Sequence, residues 1–345
     1  MARKRVVVIE GEDAAPEAMR PSLRLLQSLG LPIDWLAPSR EEARAAIDAS
    51  DATLFGATSG ASAAALFHLR WGRGTYANLR PVRFLRGARS PLAQPDGIDI
   101  AIVRENLEDL YVGVEGEVEA LAPLALRSRT SGRPIAELAP GRFALKVISE
   151  RGSERVARFA FELARRRRAR GLPGRVTCGT KHNMLAQTDG LFRDVATRVA
   201  RDYPDVGFEV RIVDDLAHRL VAHARELDVV LLPNLYGDIL SDAAAALIGG
   251  LGLAPSGCYG DGYAYFESAH GTAPDLAGLG TINPTATLLS AAMMLEYLGF
   301  PDPAGRLSRA VEKTYAEGRA LTPDQGGRAS AAELCESVAR HYAEE

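Results

Sequence analysis

Short runs of β-branched and other apolar residues recur along the chain at positions 5–9, 52–55, 98–103, 175–178, 208–213 and 228–232, each four to six residues long. Runs of that length, bounded by polar or turn residues, predict strands. Longer segments with helical periodicity lie between them. Residues 156–170 (VARFAFELARRRRAR) carry apolar side chains at 156, 159, 160 and 163, the stripe of a helix resting on a core. Residues 284–299 (PTATLLSAAMMLEYLG) predict a second, strongly apolar helix ended by glycine, with its methionines as core filler. The alternation predicts an α/β protein with a largely parallel sheet. Two Gly- and Pro-rich stretches interrupt it. Residues 87–97 (GARSPLAQPDG) suggest a crossing between domains, and residues 249–262 (GGLGLAPSGCYGDG) are expected to form turns and loops, with the chain crossing back near Ala245. Two such crossings make one domain discontinuous.

A chain of 345 residues, 47% hydrophobic, has room for two cores, since single cores stop growing near ~250–300 residues. The formal charge of -3 speaks against a general nucleic-acid binder. Arginines 165–168 read as the solvated end of a helix, where cations suit the dipole, rather than as an RNA patch. The apolar run near the N-terminus, residues 6–9, is too short for a secretory signal, and no apolar stretch reaches the ~18 residues of a membrane helix. Cys178, Cys258 and Cys335 are scattered, with the spacing of neither a disulfide framework nor a zinc site. The expectation is a reduced, cytoplasmic protein with no membrane and no nucleic-acid partner.

Candidate chemistry centres on residues 233–245 (PNLYGDILSDAAA), where Asp238 and Asp242 stand four positions apart at the start of a helix-like stretch. On one helical face two like charges repel, which asks for a cation. Mg²⁺ takes one or two carboxylates and completes its shell with water and substrate. The plainer reading is that the pair caps and solvates the helix start. Arg70, Arg80 and Arg104 each end or follow a patterned segment, and guanidinium groups in that number suit a substrate with several carboxylates. Arg104 stands out because it ends an apolar strand, a position that in open α/β sheets borders the ligand crevice. Tyr111, seven residues on, has a phenol able to act as an acid, or simply to be buried and hydrogen-bonded. Lys181 follows a strand within GTKHNMLAQTDGLF and becomes a plausible base if brought near other cations; on position alone it is a surface lysine. Asp214 ends the strand FEVRIVD and offers a third carboxylate, with Asp215 beside it as a helix cap.

The motifs YANLRPVR, IVRENLEDLYVGVE, TDGLF, NLYGDILSD, GGLGLAPS, HGTAPDLAG and INPTATLLSAAMML, in this order between about Leu69 and Gly327, resemble those of the isocitrate and isopropylmalate dehydrogenase family, the metal-dependent β-decarboxylating dehydrogenases. The resemblance implies a two-domain α/β fold with mixed sheets flanked by helices, unlike the Rossmann type. Residues 1–95 and 247–345 would form the large, cofactor-side domain, and residues 96–246 the small domain of dimerisation, metal and catalysis. It implies a homodimer whose sites combine Lys181 and Asp214 of one subunit with Asp238, Asp242, the arginines and Tyr111 of the other. Mg²⁺ or Mn²⁺ would sit on the three aspartates and act as a Lewis acid, Lys181 would remove the hydroxyl proton as hydride leaves, and Tyr111 would reprotonate the product of decarboxylation. Asp275 followed by Leu276 resembles the NAD-using members, since a carboxylate there repels the extra phosphate of NADP. Glu267, His270, Gly271 and Asn283 fall at the family's cofactor-contacting positions. The competing reading of Asp275 is a helix cap.

Two segments depart from the pattern. The loop usually written PGDGIGPE is here EGEDAAPE, residues 10–17, with two glycines missing, so a backbone needing positive φ at the alanines would be strained. The stretch 56–69 is short, and where the family reads its substrate's variable substituent this chain has Ala63, Ala64, Leu66, Phe67 and His68. Leu66 and Phe67 favour a hydrocarbon substituent, because a carboxylate buried against them is costly. An isopropylmalate-like acid leads, ahead of isocitrate, homoisocitrate, tartrate and malate. His68 is expected in a structural or solvent-facing role, and His182 replaces a small residue beside Lys181. A non-catalytic regulatory subunit, as in some hetero-oligomeric members, is the competing reading; such subunits lose catalytic groups that this chain keeps.

Overall fold

Buried β-branched runs need neighbours on both sides, and the computed structural model, which describes residues 3–345, supplies them in one ten-stranded sheet. In chain order the strands are β1 (Lys4–Ile9), β2 (Ile33–Leu36), β3 (Ala52–Phe55), β4 (Ala77–Arg83), β5 (Asp99–Glu105), β6 (Glu115–Glu117), β7 (Arg142–Ala144), β8 (Arg175–Thr180), β9 (Gly207–Ile212), β10 (Val229–Leu232), β11 (Pro255–Tyr259) and β12 (Ala264–Ser268). The order across the large sheet is β2-β1-β3-β12-β11-β4-β5-β10-β8-β9, with β6 and β7 forming a separate hairpin-like pair. The helices are α1 (Ala15–Ser28), α2 (Ala43–Asp48), α3 (Ala63–Phe67), α4 (Glu150–Ala169), α5 (Thr188–Ala200), α6 (Val213–Ala222), α7 (Asn234–Leu247), α8 (Thr285–Tyr297), α9 (Pro301–Glu317) and α10 (Ala331–Glu344).

The sheet is mixed. β2, β1, β3 and β12 are parallel to one another, as are β5, β10, β8 and β9, but the pairs β12–β11, β11–β4 and β4–β5 are antiparallel, so the two parallel groups run in opposite directions. The expectation of a largely parallel sheet missed this seam. It also missed β11: residues 255–259, expected as turn and loop, form a strand hydrogen-bonded on both edges. Their small side chains let α8 press close, with Ser256 N–H donating to Ser290 Oγ at 3.1 Å.

Register at the seam decides which side chains meet. Asn78 pairs with Arg104 and with Cys258, and Ser256 with Glu267. Alternation of side chains therefore puts Arg104, Asn78, Arg80 and Glu267 on one face, the face that α7 covers beside β4 and β5. On the opposite face Leu79, Ala101 and Val103 join Val156, Ala160 and Phe161 of α4 in a closed core. A larger core gathers α1, α8, α9 and α10. Helix α8, apolar all round, buries Leu288, Met294 and Leu295 completely, each contributing ~1.5–3 kcal/mol relative to exposure.

Three further expectations change. The helix around residues 156–170 begins earlier, at Glu150, where Ser149 caps it by accepting from Gly152 N–H at 2.9 Å. Its arginine end is not simply solvated: Arg165 pairs with Asp205 at 2.8 Å, and Arg167, largely buried, pairs with Asp228 at 2.5 Å and Asp99 at 3.0 Å, pinning α4 to the ends of β5 and β10. Finally, β9 stops at Ile212, so Asp214 and Asp215 lie in the first turn of α6 rather than ending a strand; Asp215 pairs with Arg211 of β9 and with Arg219 one turn along the helix and is not its cap residue.

Candidate active site

The site is built where α7 crosses the end of β5. Arg104, the penultimate residue of β5, is 3% exposed, and a buried guanidinium must find partners. Its Nε and Nη2 donate to Asn234 Oδ1 at 2.9 and 2.6 Å, and its Nη1 donates to Asp238. The approach depends on Gly237, because a Cβ there would lie 2.6 Å from Arg104 Cβ. Tyr111, on a short 3₁₀ turn (Leu110–Val112), donates its hydroxyl to Asp238 Oδ2 at 2.5 Å. Arg80 reaches Asp238 at 3.3 Å, Asp242 at 3.0 Å and Ser241 Oγ at 2.7 Å. Arg70 donates to Asn106 O at 2.6 Å and to Asn234 Oδ1 at 3.4 Å, with its guanidinium 5.4 Å from the Tyr111 ring. The three arginines expected to bind the acid, Tyr111 expected as a proton donor and Asp238 expected as a metal ligand thus converge, with Asp242 one turn further along α7.

Charge explains the titration of the group. Burial would raise the Asp238 carboxyl, but Arg104, the Tyr111 hydroxyl and Arg80 hold it below the ordinary carboxylate range. Asp242 goes the other way, raised by burial and by Asp238 against the pull of Arg80. Burial, then the hydrogen bond to Asp238, raises Tyr111, so the phenol keeps its proton. Glu267, facing the three arginines across the sheet, is raised by burial in spite of them.

Lys181 follows β8 directly. Its Nζ contacts both Asp214 oxygens at 2.6 and 2.5 Å, and its N–H donates to Asp189 Oδ2 at 2.6 Å. Asp214, on α6, is mostly exposed. Among the described residues no group of three or more His, Cys, Asp or Glu could hold a metal ion within one chain. The three aspartates expected as ligands therefore form two sets, Asp238 with Asp242 and Asp214 with Lys181. The three carboxylates are hard oxygen donors of the kind that Mg²⁺ and Mn²⁺ take.

Around the substituent-reading helix, Leu66 packs, partly buried, against the cluster of Val7, Phe55 and Leu69, while Phe67 is 57% exposed and tilts against Trp71 with ring centroids 5.5 Å apart. Trp71 lies under the Arg70 guanidinium at 4.9 Å. The apolar surface beside the arginines is thus Phe67 with Trp71, the latter not foreseen. His68 is structural, as expected: its Nε2 meets Asp48 Oδ1 at 2.8 Å. His182 Nδ1 meets Thr180 Oγ1 at 2.8 Å.

The loop 10–17 resolves its missing glycines by placing positive φ at Gly11 (79°) and Asp13 (54°), leaving Ala14 and Ala15 with ordinary helical backbone. Asp tolerates that region. Glu12 accepts from Thr58 Oγ1 and Ser62 Oγ, both at 2.5 Å, and Glu17 from Gly278 N and Gly280 N at 2.5 and 2.6 Å. The second contact pair ties α1 to the loop carrying Asp275. On that loop Asp275 and Leu276 are exposed, on a short turn (Pro274–Leu276), and Gly271 is exposed as well. His270 Nδ1 meets Gly271 O at 2.8 Å, while its Nε2 is buried without a partner among the described residues. An orphaned ring nitrogen there fits a group bound from outside. Asn283 is buried and engaged, donating to Tyr315 Oη and Asp324 and accepting from Thr285 N–H.

A family profile described as isocitrate/isopropylmalate dehydrogenase matches residues 34–338. The chain belongs to that family. It is 39% identical to the 3-isopropylmalate/3-methylmalate dehydrogenase of Methanocaldococcus jannaschii, over 99% of each chain, and 38% identical to the isocitrate/homoisocitrate dehydrogenase of Thermus thermophilus, over 97% of each. The crystal structure of isocitrate dehydrogenase from Methylococcus capsulatus superposes with a TM-score of 0.84 at 31% identity, covering 98% of this chain and 99% of that one. The mixed sheet flanked by helices is the fold of this family, whose members are metal-dependent dehydrogenases using NAD or NADP, and the chain is a decarboxylating dehydrogenase of the family. No helix among the described residues is long and apolar enough to cross a membrane.

Sequence reasoning missed Asn234, which satisfies both Arg104 and Arg70, and the buried pair Asp109 and Asp189. Asn234 opens NLYGDILSD, Asp109 lies in IVRENLEDLYVGVE and Asp189 in TDGLF, so their place in the quoted motifs was the available signal. It also passed over Glu105, 1% exposed, which accepts from Leu107 N and Glu108 N at 2.9 and 2.8 Å. Burial pushes its carboxyl up to about 7. Below the ordinary value of 4.5 folded and unfolded chains both carry the proton. As pH rises from there the unfolded chain ionises first and the native state loses stability, fully so above about 7, by an amount on the order of 3 kcal/mol. Glu105→Gln should therefore gain stability relative to the parent between these two pH values, read as a rising difference in urea midpoint. A pH-independent difference would show that Glu105 ionises normally.

Proposed function

We propose that this dehydrogenase oxidises and decarboxylates a 3-substituted (R)-malate with NAD as hydride acceptor and Mg²⁺ or Mn²⁺ bound, an isopropylmalate-like acid being the best match. One observation carries the reading: three guanidiniums converge on Asp238 and Tyr111 beside an exposed aromatic wall of Phe67 and Trp71. The arginines suit the malate carboxylates through paired hydrogen bonds, and the wall suits a hydrocarbon group, because a third carboxylate placed on it would lack a partner. The name of the Methanocaldococcus relative agrees with such a substrate.

In the working enzyme, a homodimer, Lys181 and Asp214 of one subunit complete the site formed by Asp238, Asp242, Tyr111 and the arginines of the other. Residues 1–95 and 247–345 make the cofactor-side domain and residues 96–246 the domain of metal and catalysis. Lys181 takes the substrate hydroxyl proton, and Tyr111, which keeps its own proton, returns one to the carbon that has lost carbon dioxide. A divalent ion on the three aspartates supplies Lewis-acid stabilisation of the negative charge that develops. Glu267, His270, Gly271 and Asn283 border the cofactor, and the Asp275 carboxylate selects NAD by meeting the ribose hydroxyls and repelling a 2′-phosphate.

The test is a panel of 3-alkylmalates, malate, tartrate, isocitrate and homoisocitrate assayed by NADH or NADPH formation with Mg²⁺ or Mn²⁺. A branched 3-alkylmalate should give the highest kcat/KM, and NAD should be preferred to NADP by roughly 100-fold, the scale of a like-charge clash. Isocitrate turning over faster than any alkylmalate would overturn the substrate assignment. Equal rates with NADP would overturn the role of Asp275. No turnover of any acid would leave only the regulatory-subunit reading.

A further inference from the structure

Of the 41 basic residues in this chain, four are lysines: Lys4, Lys146, Lys181 and Lys313. A chain that uses arginine almost everywhere keeps an ammonium at the proposed base, and it keeps another at Lys146, which no catalytic step uses. Lys146 sits beneath the site, 13% exposed at its side chain, between two aspartates with no exposed side-chain surface. Its Nζ lies 2.7 Å from Asp189 Oδ1, 3.3 Å from Asp109 Oδ1 and 4.5 Å from the centre of the Tyr236 ring.

Each of those three contacts leads to a different part of the machinery. Asp189, at the start of α5, uses its other oxygen to accept the Lys181 N–H at 2.6 Å, fixing the backbone of the base. Asp109 accepts from Leu110 N at 2.9 Å and from Leu235 N at 3.0 Å, so one carboxylate joins the Tyr111 turn to the first turn of α7. Its backbone has φ of 69°, an unfavourable region for a residue with a side chain, held by these contacts and by its N–H donating to Val147 O at 2.8 Å. Tyr236 is two residues before Asp238 on α7. Burial alone would lower the Lys146 ammonium, but the hydrogen bond to Asp189 and the charges of Asp109 and Asp189 outweigh it and keep the group charged.

We propose that Lys146 is a positioning residue: a buried ammonium that sets the Lys181 backbone, the Tyr111 turn and the start of α7 relative to one another without touching substrate. A neutral side chain at 146 leaves two buried carboxylates facing each other, and they would separate by drawing in water. The inference rests on the proposed roles of Lys181 and Tyr111. In the dimer described above those two residues of one chain serve different sites, so Lys146 also ties one site to the other.

The test compares Lys146→Met with the parent by steady-state kinetics and by hydrogen–deuterium exchange on the full dimer. We expect kcat to fall by roughly 100-fold, the cost of about 1 Å of misplacement, with KM for the acid changed less than threefold. Exchange should rise at residues 107–112 and 181–188 while β5, β8 and β10 stay protected. A kcat within threefold of the parent, or exchange that rises evenly along the chain, would overturn the proposal, the latter showing a general loss of stability. Should Lys146→Met fail to fold, Asp189→Asn carries the same measurements, since it keeps an oxygen for the Lys181 N–H and removes only the charge facing Lys146. The exchange readout needs no substrate. A parent enzyme inactive on every acid would therefore sink the functional reading while leaving the exchange result to decide on Lys146.

Discussion

Lys181→Met should lower kcat for the preferred acid by roughly 1,000-fold, within the range that positioned proton transfer contributes, while the melting temperature stays near that of the parent. The two halves of this expectation come from different atoms. The backbone N–H of Lys181, which donates to the buried Asp189, survives the substitution, so the loop after β8 keeps its anchor. Nζ, the atom lost, pairs only with Asp214, a mostly exposed carboxylate at the start of α6. Exposed ion pairs of this kind add little to stability. The Asp214 carboxyl, held low first by its hydrogen bond from Lys181, should return toward its ordinary range in the variant. A steady-state assay at saturating acid, metal and NAD, with a melting curve, checks both halves. A variant retaining more than a tenth of the parental kcat would remove Lys181 from proton transfer; a large fall in melting temperature would show that the side chain holds the loop rather than acting as the base.

What could be read from sequence follows a physical dividing line. The parallel strands β1, β3, β5, β8 and β10 are largely apolar and buried on both faces, and such runs are visible without a structure; the edge strand β9 shows instead the alternation of Phe208, Val210 and Ile212 with Glu209 and Arg211. Strands β4, β11 and β12 at the antiparallel seam carry Asn78, Arg80, Ser256 and Glu267, polar residues on the site's face of the sheet, and their pattern was correspondingly broken. The same property that made these strands hard to see marks them as functional. Within the site, Asp238 and Asp242 were recognisable because helical spacing alone puts them on one face, and Arg104 because it sits at a strand end. Asn234, Asp109, Asp189 and Lys146 were not, since the contacts that draw them together, Asn234 with Arg104, Asp109 with Leu235, and Lys146 with both aspartates, join residues far apart in the chain, and sequence spacing carries no signal for such contacts. Trp71 stayed hidden for a related reason. The turn of π-helix over His68–Gly72 rotates it to the Arg70 side, an irregularity that regular helical spacing does not anticipate.

Asp238→Asn should cost both catalysis and folding, lowering kcat about 1,000-fold through loss of a metal ligand and of the Tyr111 acceptor, and lowering stability by about 2 kcal/mol, the scale of hydrogen bonds to buried charged groups. The stability loss arises from Arg104. Its guanidinium is pulled down to about 10 by burial and by the neighbouring Arg80, with Asp238 acting in the opposite direction. With asparagine at 238 the side chain is neutral, and its NH₂ must face either Arg104 or the Tyr111 hydroxyl, while Arg80 and Arg70 remain close by. Gly237 forbids an easy retreat, because α7 is already in van der Waals contact with the Arg104 stem. Asp242→Asn supplies the contrast. Asp242 is about half exposed and its ion pair is with Arg80, so its loss should change stability by ~0–1 kcal/mol while lowering turnover to a similar degree. Urea unfolding of the two variants beside the parent, with kcat measured across a Mg²⁺ titration, separates the two effects. Equal stability of Asp238→Asn and the parent would show that Arg104 does not depend on Asp238 for its charge balance, and full turnover of either variant at saturating Mg²⁺ would remove that aspartate from the proposed metal set.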